Sequence, residues 1–137
     1  MVASSTFWIL KQWSDVRCEA QDLEPNIDNG YTATHEIIEY FETVEASAPA
    51  AEYCWTLDIY GYNDWYLPLA DEMYDALNEL ESKGELSIEM KNTPVWSSRN
   101  DTSSESCRAY YAYWNGNQNI NYRSRDEEGY VMPMRNF

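Results

Sequence analysis

The chain has 137 residues, a formal charge of −15, 15% aromatic residues and six tryptophans. That length suits one domain, residues 1–137, with a core of its own and no need of disulfide staples. It holds no apolar run of the length that spans a bilayer, which argues against membrane insertion, and its charge would repel nucleic acid or an anionic membrane as main partner. Met1 to Leu10 lacks the basic region and long apolar stretch of a secretion signal. Phe7-Trp8-Ile9-Leu10 reads as a first strand. Residues 19–30 read as loop, ending in Asp28-Asn29-Gly30. Thr34 is placed to cap a helix to about Val44, with Ile37, Ile38, Phe41 and Val44 as its apolar stripe. Pro49 suits the first turn of a short helix through Cys54 to about Leu57. Gly61-Tyr62-Asn63-Asp64 reads as a turn. Pro68 opens a stronger helix, with Asp71 and Glu72 where the helix dipole favours acids. Met73, Leu77 and Leu80 mark its buried face and Gly84 its stop. Beyond it, strands alternate with loops. Two or three helices followed by a strand-rich half is an α+β pattern.

The charge is unevenly placed. Residues 1–95 carry nineteen acids and four bases, and so hold the whole −15. Residues 96–137 carry five acids and five arginines. An acidic scaffold thus bears a neutral end rich in Arg, Tyr and Asn. The three cysteines, Cys18, Cys54 and Cys107, lie far apart without a metal-type pair, and read as buried free thiols or as one disulfide plus a free thiol. The single histidine, His35, has nothing in sequence to place it beside a thiol. No catalytic residue, metal site or cofactor is expected.

Residues 110–122 (Tyr-Tyr-Ala-Tyr-Trp-Asn-Gly-Asn-Gln-Asn-Ile-Asn-Tyr) read as a β-hairpin closed by a two-residue type I′ turn at Asn115-Gly116. Asn recurs at 115, 117, 119 and 121, the strand period, so these side chains are expected on one face. Asn is a poor strand former and a costly core residue. Such a row implies a solvent-facing surface, and Tyr beside Asn is the chemistry of antibody paratopes.

Three motifs carry a resemblance. They are Gly61-Tyr62-Asn63-Asp64-Trp65-Tyr66-Leu67-Pro68 followed by Asp71-Glu72-Met73, then Val95-Trp96-Ser97-Ser98, then Tyr130-Val131-Met132-Pro133-Met134-Arg135-Asn136-Phe137. Their order and spacing resemble the C-type-lectin-fold domains with a DW-x-LP, WSS and V-R-P-V-R pattern, in the branch related to formylglycine-generating enzymes. Ala50-Ala51-Glu52-Tyr53-Cys54 is similar to the helix that precedes DW-x-LP in that family. The family includes the variable proteins of diversity-generating retroelements. Met132 stands where the pattern has its first C-terminal Arg, and Leu69 where a Ser often caps the helix. The resemblance implies a C-type lectin fold with two to three helices packed on small antiparallel sheets. Trp65 and Trp96 are expected as core anchors. Asp64 is expected to accept backbone hydrogen bonds, and Arg135 to tie the C-terminal strand to a carboxylate or carbonyl.

The resemblance further implies a ligand-binding region within residues 96–137. Carried over by position, its diversified residues are Arg99, Asn100, Asp101, Ser103, Ser104, Tyr111, Tyr113, Asn115, Asn117, Asn119, Asn121, Tyr122 and Ser124. Adenine-directed mutagenesis of AAY codons can reach all of these residue types, but not Trp114, Gln118, Glu127 or Glu128. The implied partner is a protein or glycan surface, and the implied location a virion or cell surface within a larger assembly. Two other readings stand beside it: a fixed-sequence tail-tip or adhesin assembly domain, and a calcium-dependent lectin. The lectin reading has only Glu24-Pro25-Asn26, which lies before the first helix, where animal lectins do not carry that motif. An oxidase like the formylglycine-generating enzymes would need a cysteine pair for copper, and Cys107 alone lies in the C-terminal half.

Overall fold

The computed structural model describes residues 2–3, 7–15, 29–86, 93–100, 108–114, 118–124 and 126–135. In chain order the elements are β1 (Ile9–Gln12), α1 (Gly30–Thr43), α2 (Pro49–Thr56), α3 (Ala70–Ser82), β2 (Val95–Asn100), β3 (Arg108–Trp114), β4 (Gln118–Ser124) and β5 (Glu128–Val131). The strands form one sheet in the order β1-β5-β2-β3-β4. β5 inserts between β1 and β2, running antiparallel to β1 and parallel to β2. The other neighbours, β2 with β3 and β3 with β4, are antiparallel. The chain is therefore α+β, with three helices on a single mixed sheet among the described residues, where small antiparallel sheets were expected.

Strand alternation sends neighbouring residues to opposite faces of this sheet. Val95, Ala112 and Met132 join Trp8, Met73 and Leu77 in a buried cluster beneath α3. Trp96, Ala109 and Val131 join Trp13, Ile37, Phe41, Cys54 and Leu67 in a second cluster beneath α1 and α2. Both faces are thus covered. The two buried alanines of β3 keep the sheet thin where helices lie on each side. Met132 is fully buried, so an apolar side chain fills the place where the family pattern has an arginine.

The helix ends show where the sequence signals compete. Asn29, not Thr34, caps α1: its Oδ1 accepts from the Tyr31 and Thr32 amides at 2.9 and 3.3 Å. Gly30, expected in a loop, is the first helical residue. A Cβ there would lie 2.5 Å from Glu72 Oε1 and 2.7 Å from the Tyr66 ring, so close packing, not a break in the chain, requires the glycine. The expected stripe holds, with Ile37 and Phe41 buried and Ile38 and Val44 packed beside them. α2 begins at Pro49 as expected. Leu69 heads α3 with no side-chain acceptor, and Glu72 supplies half of a capping box, its Oε1 accepting from the Leu69 amide at 2.8 Å. Gly84, at φ +70°, closes α3. Its amide donates to Glu81 O at 3.0 Å and the Glu85 amide to Leu80 O at 2.9 Å, the paired bonds of a Schellman stop.

The expected turn at 61–64 lies two residues earlier, at 59–62. Tyr60 and Gly61 both have positive φ, 57° and 79°, and Ile59 and Tyr62 exchange backbone bonds of 3.0 and 2.9 Å. This is the geometry of a type I′ turn. The one expected at Asn115-Gly116 is corrected by the strand register: Trp114 pairs with Gln118, so the connection has three residues, 115–117, which lie outside the described residues. Among the described residues no helix is long and apolar enough to cross a membrane.

Candidate functional site

The site is framed by the three sequence motifs, which meet in space. Tyr66 and Met134 exchange backbone bonds of 2.8 and 3.0 Å, and the Ser98 amide donates to Pro68 O at 2.8 Å. Trp65 and Trp96 are fully buried. Each satisfies its indole N–H, Trp65 on Tyr62 O at 3.0 Å and Trp96 on Lys11 O at 2.9 Å. Arg135 grips Asp64 through two bonds, Nε to Oδ1 at 2.7 Å and an Nη2 bond to Oδ2 at 3.0 Å. Its guanidinium also lies 3.6 Å from the Tyr62 ring centroid. Arg135 therefore ties the C-terminal segment to a carboxylate as expected. The Asp64 carboxyl does accept a backbone bond as expected, but its larger partner is a side chain 71 positions away, Arg135.

The hydrogen bond from Arg135 holds the Asp64 carboxyl below its usual pKa, and the nearby charge adds to this. A carboxylate depressed in the folded state contributes stability that is present above its unfolded value, about 3.9, and is lost as pH falls through the folded value. Asp64 is 44% exposed, so solvent screening limits the contribution to about 1 kcal/mol or less. Asp64→Asn is expected to lower unfolding free energy by about that amount at pH 7 and to match the parent at about pH 2.5. Urea titrations at the two pH values check this; a deficit undiminished in acid would assign the loss to something other than charge.

Within this frame, β2, β3 and β4 build the surface. Between Trp96 and Asn100 the register of β2 against β3 shifts. Ser97 Oγ spans the irregularity, donating to Tyr110 O at 2.8 Å and accepting from the Arg99 amide at 3.2 Å. The bulge turns Arg99 outward, and its guanidinium carbon sits 4.5 Å from the Tyr110 ring centroid. A cation over an aromatic face at that distance is held by about 0.5–1 kcal/mol when exposed. It presents a planar, pre-oriented donor set.

β3 and β4 pair without interruption from Arg108↔Ser124 to Trp114↔Gln118. Opposed residues share a side of the ladder. Tyr111 opposes Asn121 and Tyr113 opposes Asn119, so these four positions fall on one side. Tyr122 opposes Tyr110 and, with Ser124, falls on the other side, the one that meets α3. The six expected positions that lie on β3 and β4 are thus split between the two sides of the ladder, four on one and two on the other. Tyr111 is half-buried against the core beneath α1 and α2, which corrects the expectation of a purely solvent-facing row: the inner end of that face belongs to the core. Arg99 is exposed and Ser124 partly so. Asn100 is the last residue of β2. Asp101, Ser103, Ser104, Asn115 and Asn117 lie outside the described residues.

Tyr110 is the residue that sequence reasoning missed. Its role depends on a bulge in another strand, and no spacing within 110–122 announces it. Cys54 is a buried free thiol, pushed far up in pKa by desolvation and so unsuited to nucleophilic work. Cys18 and Cys107 lie outside the described residues. His35 is exposed, 3.2 Å from Glu39 and stacked on Trp55 at 5.3 Å. Among the described residues, no group of three or more His, Cys, Asp or Glu side chains is placed to hold a metal ion. Comparison with protein-family models, with curated proteins and with solved structures found no match to this chain.

Proposed function

We propose that the chain is a non-enzymatic ligand-binding domain with the C-type lectin fold of retroelement variable proteins, and that β2, β3 and β4 display its recognition surface. The observation that carries this reading is the convergence of the three motifs. Asp64 with Arg135, Tyr66 with Met134, and Pro68 with Ser98 are bonded pairs that join one motif to another. They form a braced frame that ends at Ser98, where the proposed variable stretch begins. The motif-to-motif bonds of this frame use no residue of 99–126, although the buried Ala109 and Ala112 of β3 belong to its core, and such bracing is what a domain needs if the surface positions of that stretch are to change freely. Arg and Tyr at the surface supply the side chains that dominate protein interfaces. The ligand is a protein or glycan surface, met by a domain carried on a virion or a cell. Fixed-sequence assembly at a tail tip or adhesin is the competing outcome of the test.

That test is deep sequencing of the gene across its source population. Substitutions confined to adenine positions within codons 99–126, with codons 61–98 and 127–135 invariant, are the expected result. An invariant 99–126 stretch would overturn diversification and leave the fixed assembly domain.

A further inference from the structure

A second surface lies away from the hairpin. The flank of α3 that carries Glu72, Asp75, Ala76, Glu79, Leu80 and Lys83 faces the segment at Met134, and an open groove of about 610 Å³ runs between them. The α3 residues follow one another at three- and four-residue steps, so they form a single stripe along the helix. From Glu72 to Lys83 that stripe is about 16 Å long at 1.5 Å per residue, the length of about five residues of extended chain.

The groove has two chemical layers. Val2, Ala76, Leu80 and Met134 give it an apolar floor. Glu72, Asp75, Glu79 and Glu85 stand around that floor. Two cations also line it, and both are already committed. Lys83 pairs with Glu79 at 2.9 Å, and Arg135 pairs with Asp64 at 2.7 Å. Lys83 also feels the charge of Glu85, and among the described residues no cation lining the groove is paired with Glu72 or Asp75, so four carboxylates outnumber the cations there. Glu72 cannot turn away, because its Oε1 holds the Leu69 amide and its Oε2 the Tyr66 hydroxyl. An apolar trough edged by an excess of negative charge, part of it fixed at Glu72, selects a ligand with the converse pattern.

We propose that this groove docks an extended, basic, amphipathic segment of a partner protein, its apolar side chains on Leu80 and Met134 and its Lys or Arg side chains at Asp75 and Glu85. The acidic 1–95 region, which holds the whole net charge of the chain, draws such a segment in from a distance. No groove residue is among the thirteen candidate positions within 99–124. Failure of this proposal therefore leaves the proposed function standing, and the reverse.

The probe is a fluorescein-labelled ten-residue peptide alternating Leu and Lys, titrated with the intact chain and read by anisotropy. Asp75→Lys with Glu85→Lys reverses two exposed groove charges. Glu39→Lys with Glu42→Lys makes the same change in net charge on the exposed surface of α1. The groove pair is expected to weaken binding by about tenfold or more, and the α1 pair by less than about threefold. A peptide alternating Ser and Lys is expected to bind about tenfold more weakly than the Leu and Lys peptide, because it cannot use the floor. Equal weakening by the two charge reversals, equal binding of the two peptides, or no binding at all would each overturn the proposal.

Discussion

Trp96→Ala is expected to lower unfolding free energy by about 3–5 kcal/mol, a large share of the about 5–15 kcal/mol that holds a domain of this kind together. Trp96 has no exposed surface. Its ring belongs to the cluster beneath α1 and α2, so truncation opens a cavity that the two helices cannot close without leaving their own contacts. The ring also works across the sheet. Trp96 stands on β2 and its indole N–H bonds Lys11 O on β1, yet β5 lies between those strands. The residue of β5 paired with Lys11 is Gly129. A Cβ at Gly129 would come within 3.0 Å of the indole nitrogen and 3.2 Å of Pro94 O. The glycine is there so that the indole can pass over β5 to reach β1.

Coupling between the two residues follows. Gly129→Ala alone is expected to cost about 1–3 kcal/mol, as an overpacked methyl does when a ring must move. In the Trp96→Ala background the methyl no longer meets the indole and only the contact with Pro94 O at 3.2 Å remains, so the double variant is expected to fall short of the summed single losses by about 1 kcal/mol or more. Chemical denaturation of the four proteins reads this directly. Strict additivity would mean that Trp96 does not need the glycine.

The same pair shows which parts of the molecule were legible in the sequence. Trp96 is recognisable as a core anchor from its motif, and Pro49, Pro68 and Gly84 mark helix ends through local backbone chemistry, which needs no partner. Gly129 and Gly30 were not legible as packing glycines. What they accommodate, an indole from another strand and the Tyr66–Glu72 pair from another element, is set by tertiary contact. At Gly30 the local cue even pointed the wrong way, because glycine normally breaks a helix while Asn29 before it is a strong cap. Arg135 could be expected to find an acceptor, but choosing Asp64 across 71 residues needed the fold. For the candidate site, the composition of the hairpin was readable and its facing was not. A three-residue connection in place of two changes which β4 residue opposes each β3 residue, and so pairs Tyr111 with Asn121 and Tyr113 with Asn119. The burial of Tyr111 reflects helices α1 and α2, which no pattern within 110–122 contains.

Thr34→Val is expected to cost about 1–3 kcal/mol, the penalty of leaving a buried donor without an acceptor. The side chain is fully buried. Its Oγ1 donates to Gly30 O at 2.7 Å, within α1, and accepts from the Leu67 amide at 2.9 Å. Val keeps the shape and opens no cavity, and its helix propensity is close to that of Thr. The change therefore isolates the hydroxyl. Leu67, itself wholly buried, would keep an amide that water cannot reach. Thr34→Ser keeps the hydroxyl and loses one methyl, for about 0.8 kcal/mol. Val is thus expected to be the more damaging replacement, although it is the more hydrophobic one. If Ser proves worse than Val in urea titrations, methyl packing rather than the hydrogen bond secures this position. The consequence extends beyond α1. The Leu67 amide precedes Pro68, whose carbonyl holds the Ser98 amide, and Ser98 stands directly before Arg99. Thr34 is thus the first link in a chain of bonds that runs from α1 through the DW-x-LP segment to the strand that presents Arg99 over Tyr110. Amide hydrogen exchange at Ser98 is expected to quicken in Thr34→Val and to stay near the parent rate in Thr34→Ser.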